Sequence, residues 1–66
     1  MNNELMAKRL RELRGCIPRE TVSKAVGISK SALAMYERGE RVPRDSVKIG
    51  LAKFYGKSVD SIFFSQ

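Results

Sequence analysis

The stretch Val22-Ser-Lys-Ala-Val-Gly-Ile-Ser-Lys-Ser-Ala-Leu-Ala-Met-Tyr-Glu-Arg-Gly39 decides the fold. It reads as two short helices joined by a turn at Gly27. Val22 and Val26 stand four residues apart and so share one face of the first of them. Gly27 takes positive φ without steric penalty, which stops that helix and turns the chain. Ser29 has the short oxygen-bearing side chain that caps a helix N-terminus. The next helix then runs to about Arg38, and Gly39 stops it. At 3.6 residues per turn, Leu33 and Tyr36 fall together with Ala32 at the flank, and that side must be buried. Ser31, Ala34 and Arg38 fall opposite, with Lys30 and Met35 at the edges. The outer face is therefore small, basic and polar.

The rest of the chain extends this pattern in both directions. An earlier helix runs from about Asn3 to Arg14. Asn2 or Asn3 can cap it, and Glu4 suits the positive end of its dipole. Met6, Leu10 and Leu13 form its inner stripe, and Gly15 ends it. Pro18 opens the helix that carries Val22, since proline's missing N–H is harmless in a first turn. Glu40 to Arg44, containing Pro43, is a loop. Val47, Leu51 and Phe54 supply the inner face of a fourth helix that ends at Gly56. Ser58 caps a short fifth helix with Val59, Ile62 and Phe63, although these residue types also favour strands. The expectation is an all-α chain: one domain over residues 1–66, a compact five-helix bundle with short connections.

Composition narrows the class. A chain of 66 residues buries only about 60% of its unfolded surface, which leaves room for one small core and no lidded cleft. Thirteen Lys and Arg against seven Asp and Glu give a formal net charge of +6. An excess of this sign suggests a polyanion, most often nucleic acid. It is spread thinly, without the block of like charges that marks a basic tail. A lone cysteine, Cys16, allows no internal disulfide, which together with the absence of a signal-like N-terminus points to a reducing cytoplasm. One cysteine and no histidine leave neither a zinc site nor a Cys–His nucleophile, and there is no phosphate-binding glycine loop. No enzyme, metal or cofactor is expected. No apolar run approaches the ~20 residues that span a bilayer.

The outer face of the helix at residues 29–38 suits a DNA groove. A helix in the major groove needs short side chains at its centre and donors at its N-terminal end, where base edges are met. Ala34 and Met35 are unusual choices for a face that meets only water. Arg19, Lys30, Arg38, Arg41 and Arg44 can converge on one surface around it.

At this level of detail the chain resembles the helix-turn-helix domain of lambda-type phage repressors and Cro-like regulators, from about Leu10 to Phe64. The inner positions Val22, Val26, Ile28, Leu33 and Tyr36 around Gly27 match that motif. So do the string Ser29-Lys-Ser-Ala-Leu-Ala-Met-Tyr-Glu-Arg-Gly39, the proline at 43 and the tail Tyr55-Gly-Lys-Ser-Val-Asp-Ser-Ile-Phe-Phe64. The resemblance implies that Lys30, Ser31 and Met35 reach base edges, with Ala34 permitting close approach. It implies phosphate contacts from Arg19, Ser29 and Arg38, and places Arg41 and Arg44 in a loop bordering the DNA. It also implies a structural ion pair between Arg14 and Glu37. Three departures stand out, one of them a connection from Gly15 to Ile17 that is shorter than in many relatives. Pro18-Arg19 replaces a common Thr-Gln, and Ser23 stands where a small alanine is usual.

These expectations amount to a sequence-specific DNA-binding transcriptional regulator, read as a bacterial or mobile-element repressor. One reading helix supplies few contacts, so a homodimer on a palindromic operator in double-stranded DNA is expected, with Val59, Ile62 and Phe64 as candidates for self-association. Two alternatives use the same scaffold. One is an antitoxin-type protein-interaction module acting through residues 59–64. The other is a DNA-binding protein without sequence preference.

Overall fold

A computed structural model describes residues 3–64. Five helices follow one another: α1 (Asn3–Arg14), α2 (Arg19–Val26), α3 (Lys30–Glu37), α4 (Asp45–Tyr55) and a short π-type turn, α5 (Asp60–Phe64). Local chemistry sets most of these boundaries. Asn3 is the first described residue of α1, and the other cap candidate, Asn2, lies outside the described residues. Pro18, extended at φ −61° and ψ 142°, precedes α2. Ser29 Oγ accepts from the Ala32 N–H at 3.0 Å and caps α3. A cap of this kind is worth about 1 kcal/mol. Ser58 Oγ accepts from the Ser61 N–H at 3.1 Å and opens α5.

Gly27 carries the turn on which the motif depends. Its φ of 83° is left-handed, and its N–H donates to the Ser23 carbonyl at 2.8 Å. A side chain there would meet no neighbour, so the requirement is conformational and not steric. Gly50 shows the opposite case. A Cβ on it would lie 3.0 Å from Val26 Cγ1, so its missing side chain is what lets α4 pack closely on α2.

The core gathers Met6 and Leu10 from α1, Val22 from α2, Leu33 and Tyr36 from α3, Leu51 and Ala52 from α4, and Ile62 and Phe63 from α5. Burying a side chain of this size is worth about 1.5–3 kcal/mol. Leu33 and Leu51 are fully enclosed, so α3 and α4 are each anchored by one leucine. Ser23 is buried too, and its hydroxyl donates to the Glu20 carbonyl at 3.1 Å. That bond satisfies the polar group inside the core.

The inner face of α4 departs from the expected stripe. Leu51 is central, but Val47 and Phe54 are only half-buried, while Lys48 and Ala52 face inward. Lys48 buries its aliphatic stem and keeps its ammonium 4.7 Å from the Phe64 ring centroid and 5.8 Å from that of Phe63. A charged residue can thus occupy an inner position that a hydrophobic pattern would never assign to it.

Candidate nucleic-acid interface

The helix with the small outer face is α3, and the core sets its orientation. Leu33 and Tyr36 point inward, which turns Lys30 and Ser31 into solvent at the N-terminal end. Ser29 Oγ and carbonyl accept from the Ala32 and Leu33 amides. The first backbone donors of the helix, on Lys30 and Ser31, therefore face outward as the positive end of its dipole. Ala34 and Met35 are half-buried and contribute low relief to the same surface.

Beside this end lies a hollow of about 460 Å³, bounded by the α2–α3 turn and the start of α4. Ser29, Arg41, Arg44 and Ser46 contribute to its walls. Arg41, Arg44 and Lys30 are exposed and form no ion pair among the described residues. Positive charge without an internal partner, next to a helix end whose first amides face outward, is an anion-binding arrangement.

Arg38 sits differently from this rim. Its guanidinium grips Glu40 through Nε at 2.8 Å and Nη2 at 3.2 Å. Hydrogen bonding to Glu40 raises the Arg38 pKa, and the same bonds hold the Glu40 carboxyl below its ordinary value. Both side chains are more than half exposed, so water screens the pair. The expected phosphate contact from Arg38 therefore competes with an acidic neighbour that nothing in the sequence pattern flags.

Arg19 also has an internal partner. Expected only as a phosphate ligand, it donates from Nε to Glu37 Oε1 at 3.0 Å, while its side chain stays 42% exposed. Glu37 is fully buried, and its other oxygen receives Arg14 Nε at 2.7 Å. Arg14 Nη1 donates to the Ile17 carbonyl at 2.9 Å, and Arg11 Nη1 donates to the Glu37 carbonyl at 2.6 Å. The bond to Glu37, more than burial, shapes the Arg14 guanidinium and raises its pKa. One carboxylate at the end of α3 thus ties that helix to α1 and α2. The Tyr55 hydroxyl is buried nearby and has no hydrogen-bond partner among the described residues. Burial first, and then the Glu37 charge, push its phenol up to about 12, with Arg14 opposing.

Around α5 and the outer side of α4, the candidates for self-association separate. Ile62 is 1% exposed and belongs to the core, so it offers no docking surface. The error arose because a short helix of mixed apolar residues does not declare which face turns inward. Val59 is half-buried and Phe64 is exposed. With exposed Ile49 of α4, which sequence reasoning missed, they border a shallow groove of about 280 Å³. The tie between α1 and α5, from Arg9 Nη1 to the Ile62 carbonyl at 3.2 Å, also has no signal in the sequence.

Among the described residues there is no group of three or more acidic, cysteine or histidine side chains able to hold a metal. Cys16 is exposed and free. No helix among these residues is long and apolar enough to cross a membrane.

Comparison with known proteins adds one finding. A helix-turn-helix family model matches residues 8–62, nearly the whole described chain. No curated protein and no solved structure matches it. The matched span covers α2, the Gly27 turn and α3 together with the helices that brace them, and the chain belongs to the helix-turn-helix DNA-binding family of the lambda-repressor and Cro type.

Proposed function

We propose that this chain is a sequence-specific transcriptional repressor that reads the major groove with the N-terminal half of α3. The observation that carries this reading is the pairing of Lys30 and Ser31, exposed at the start of that helix, with the unpaired Arg41 and Arg44 around the adjoining hollow. In it, Lys30 donates to guanine O6 or N7, and Ser31 donates or accepts with little selectivity. Met35 makes apolar contact with a thymine methyl, and Ala34 allows the backbone to come close. Ser29, Arg41 and Arg44 meet phosphates, Arg38 does so by exchanging Glu40 for a phosphate, and Arg19 approaches from the start of α2.

Three or four base-reading side chains, without a bidentate donor among them, make a weak code. A second copy on a palindromic site, one DNA turn (~34 Å) away, doubles it. The exposed apolar residues Ile49 and Phe64, next to Val59, support self-association through the groove they border. Selection from a pool of random double-stranded DNA tests the reading. An enriched palindromic motif is the expected outcome. Binding without any enriched motif would sink the specific regulator and leave a DNA-binding protein without sequence preference.

A further inference from the structure

We propose that Glu37 is a positioning residue for Arg19, holding its guanidinium by one edge so that the other is presented to a DNA phosphate. This inference rests on the DNA-binding reading above and deepens it.

Arg19 is the first residue of α2, and its neighbour Pro18 provides no side-chain cap. The start of α2 therefore keeps backbone donors facing outward beside Arg19. A guanidinium carries five N–H donors in one rigid plane. Arg19 uses Nε on Glu37 Oε1 at 3.0 Å, and its Nη groups form no bond among the described residues. Because the group is planar, fixing Nε fixes the direction of both Nη atoms. The side chain is 42% exposed, which leaves surface open to a second partner.

The anchor itself cannot follow Arg19 outward. Glu37 is fully buried, and Arg14 holds its second oxygen at 2.7 Å while also bonding the Ile17 carbonyl. The remaining charges near Arg19 do not compete for it. Glu20 faces Lys24 across one turn at 3.2 Å. An unrestrained surface arginine loses rotamer freedom when it meets a phosphate, whereas one already held by Glu37 has lost it during folding. A lysine has the charge but only a single ammonium, which cannot serve both partners through opposite edges.

The test uses the full chain, a duplex recovered from random selection, and fluorescence anisotropy over a series of salt concentrations, with thermal melting of every variant. Arg19→Gln is expected to weaken binding about tenfold and to reduce the log–log salt slope by about 0.9 for each phosphate that is no longer neutralised. Arg19→Lys is expected to bind the duplex less tightly than the native chain although its charge is retained. Arg19→Gln introduced into Glu37→Gln is expected to cost less affinity than in the native background, because the anchor is already gone.

Three results overturn the proposal. One is Arg19→Gln lowering the melting temperature with affinity and salt slope unchanged, which is a merely structural role. Another is Arg19→Lys binding as tightly as the native chain. The third is an Arg19→Gln penalty that is the same with or without Glu37. Should Glu37→Gln fail to fold, the two Arg19 single variants still decide. A native chain that recovers no duplex at all overturns the DNA-binding reading, which is distinct from a native chain that binds while its Arg19 variants match it.

Discussion

The same residue type does opposite work on two sides of α3. At its C-terminal end, Arg14 and Arg19 converge on a carboxylate that water does not reach. At its N-terminal end, Arg41 and Arg44 border an open hollow without an ion-pair partner among the described residues. Arg38 stands between these cases, paired but exposed. Net charge counts all five alike, yet they differ in how much of each guanidinium an internal carboxylate already occupies. A buried pair gains its value from partners fixed by folding, and an exposed cation from a partner that arrives later.

The largest effect that separates the two regions should come from the buried side. Glu37→Ala leaves Arg14 and Arg19 without their counter-ion and should cost about 3–5 kcal/mol. Urea unfolding measures this, and a domain of this size has only about 5 kcal/mol to lose. A loss below about 1 kcal/mol would mean that the cluster does not brace α3.

Lys30→Ala should leave unfolding free energy within about 0.5 kcal/mol of the native chain while weakening the selected DNA site by about 1–3 kcal/mol. Repeating the random selection with this variant should relax one base position. Equal losses on selected and random duplexes would move Lys30 from reading bases to meeting phosphate.

Arg41→Ala should weaken all duplexes alike and lower the salt slope by about 0.9. The same holds for Arg44→Ala. Anisotropy titrations at several salt concentrations give both numbers. A change in preference between duplexes would assign either residue to base or groove-shape readout instead.

The smallest effect concerns the hydroxyl of Tyr55. It is buried without a partner, so Tyr55→Phe should be neutral or stabilising, by up to about 1 kcal/mol. The phenol also sets an alkaline signature. Its folded pKa is raised to about 12, against about 10 in an unfolded chain. Between those values the unfolded state has released the proton that the folded state keeps. Stability is therefore full below pH ~10 and falls as pH rises toward 12. Denaturation followed against pH should show this decline, and Tyr55→Phe should flatten it.

The helical framework was legible because its signals are local. Gly15, Pro18, Gly27, Ser29 and Ser58 act on backbone groups within a few residues, and each marks a boundary in the structure. The outward end of α3 was legible as well, since Leu33 and Tyr36 stand three apart as the bulky apolar pair of that helix and must turn inward. Three features stayed hidden. Lys48 lies inward because aromatic rings on α5 receive its ammonium. Ile62 is core and Ile49 is surface, a choice that depends on how α4 and α5 meet. Glu40 clamps Arg38 through a loop conformation with no sequence signature of its own.

The sequence by itself determined where the helices begin and end, which side of α3 is apolar, and that the whole carries excess positive charge. The resemblance implies the Arg14–Glu37 pair, but tertiary structure decided that Arg19 joins the same carboxylate and that Glu40 takes Arg38. Arg14 and Arg19 stand 23 and 18 positions from Glu37 in the chain, and only the packing of α1, α2 and α3 brings them within hydrogen-bond distance. A cap or a turn is settled between neighbours, but an ion pair between helices depends on the angle at which those helices cross. That angle comes from the shape of the core and not from the residues that make the pair.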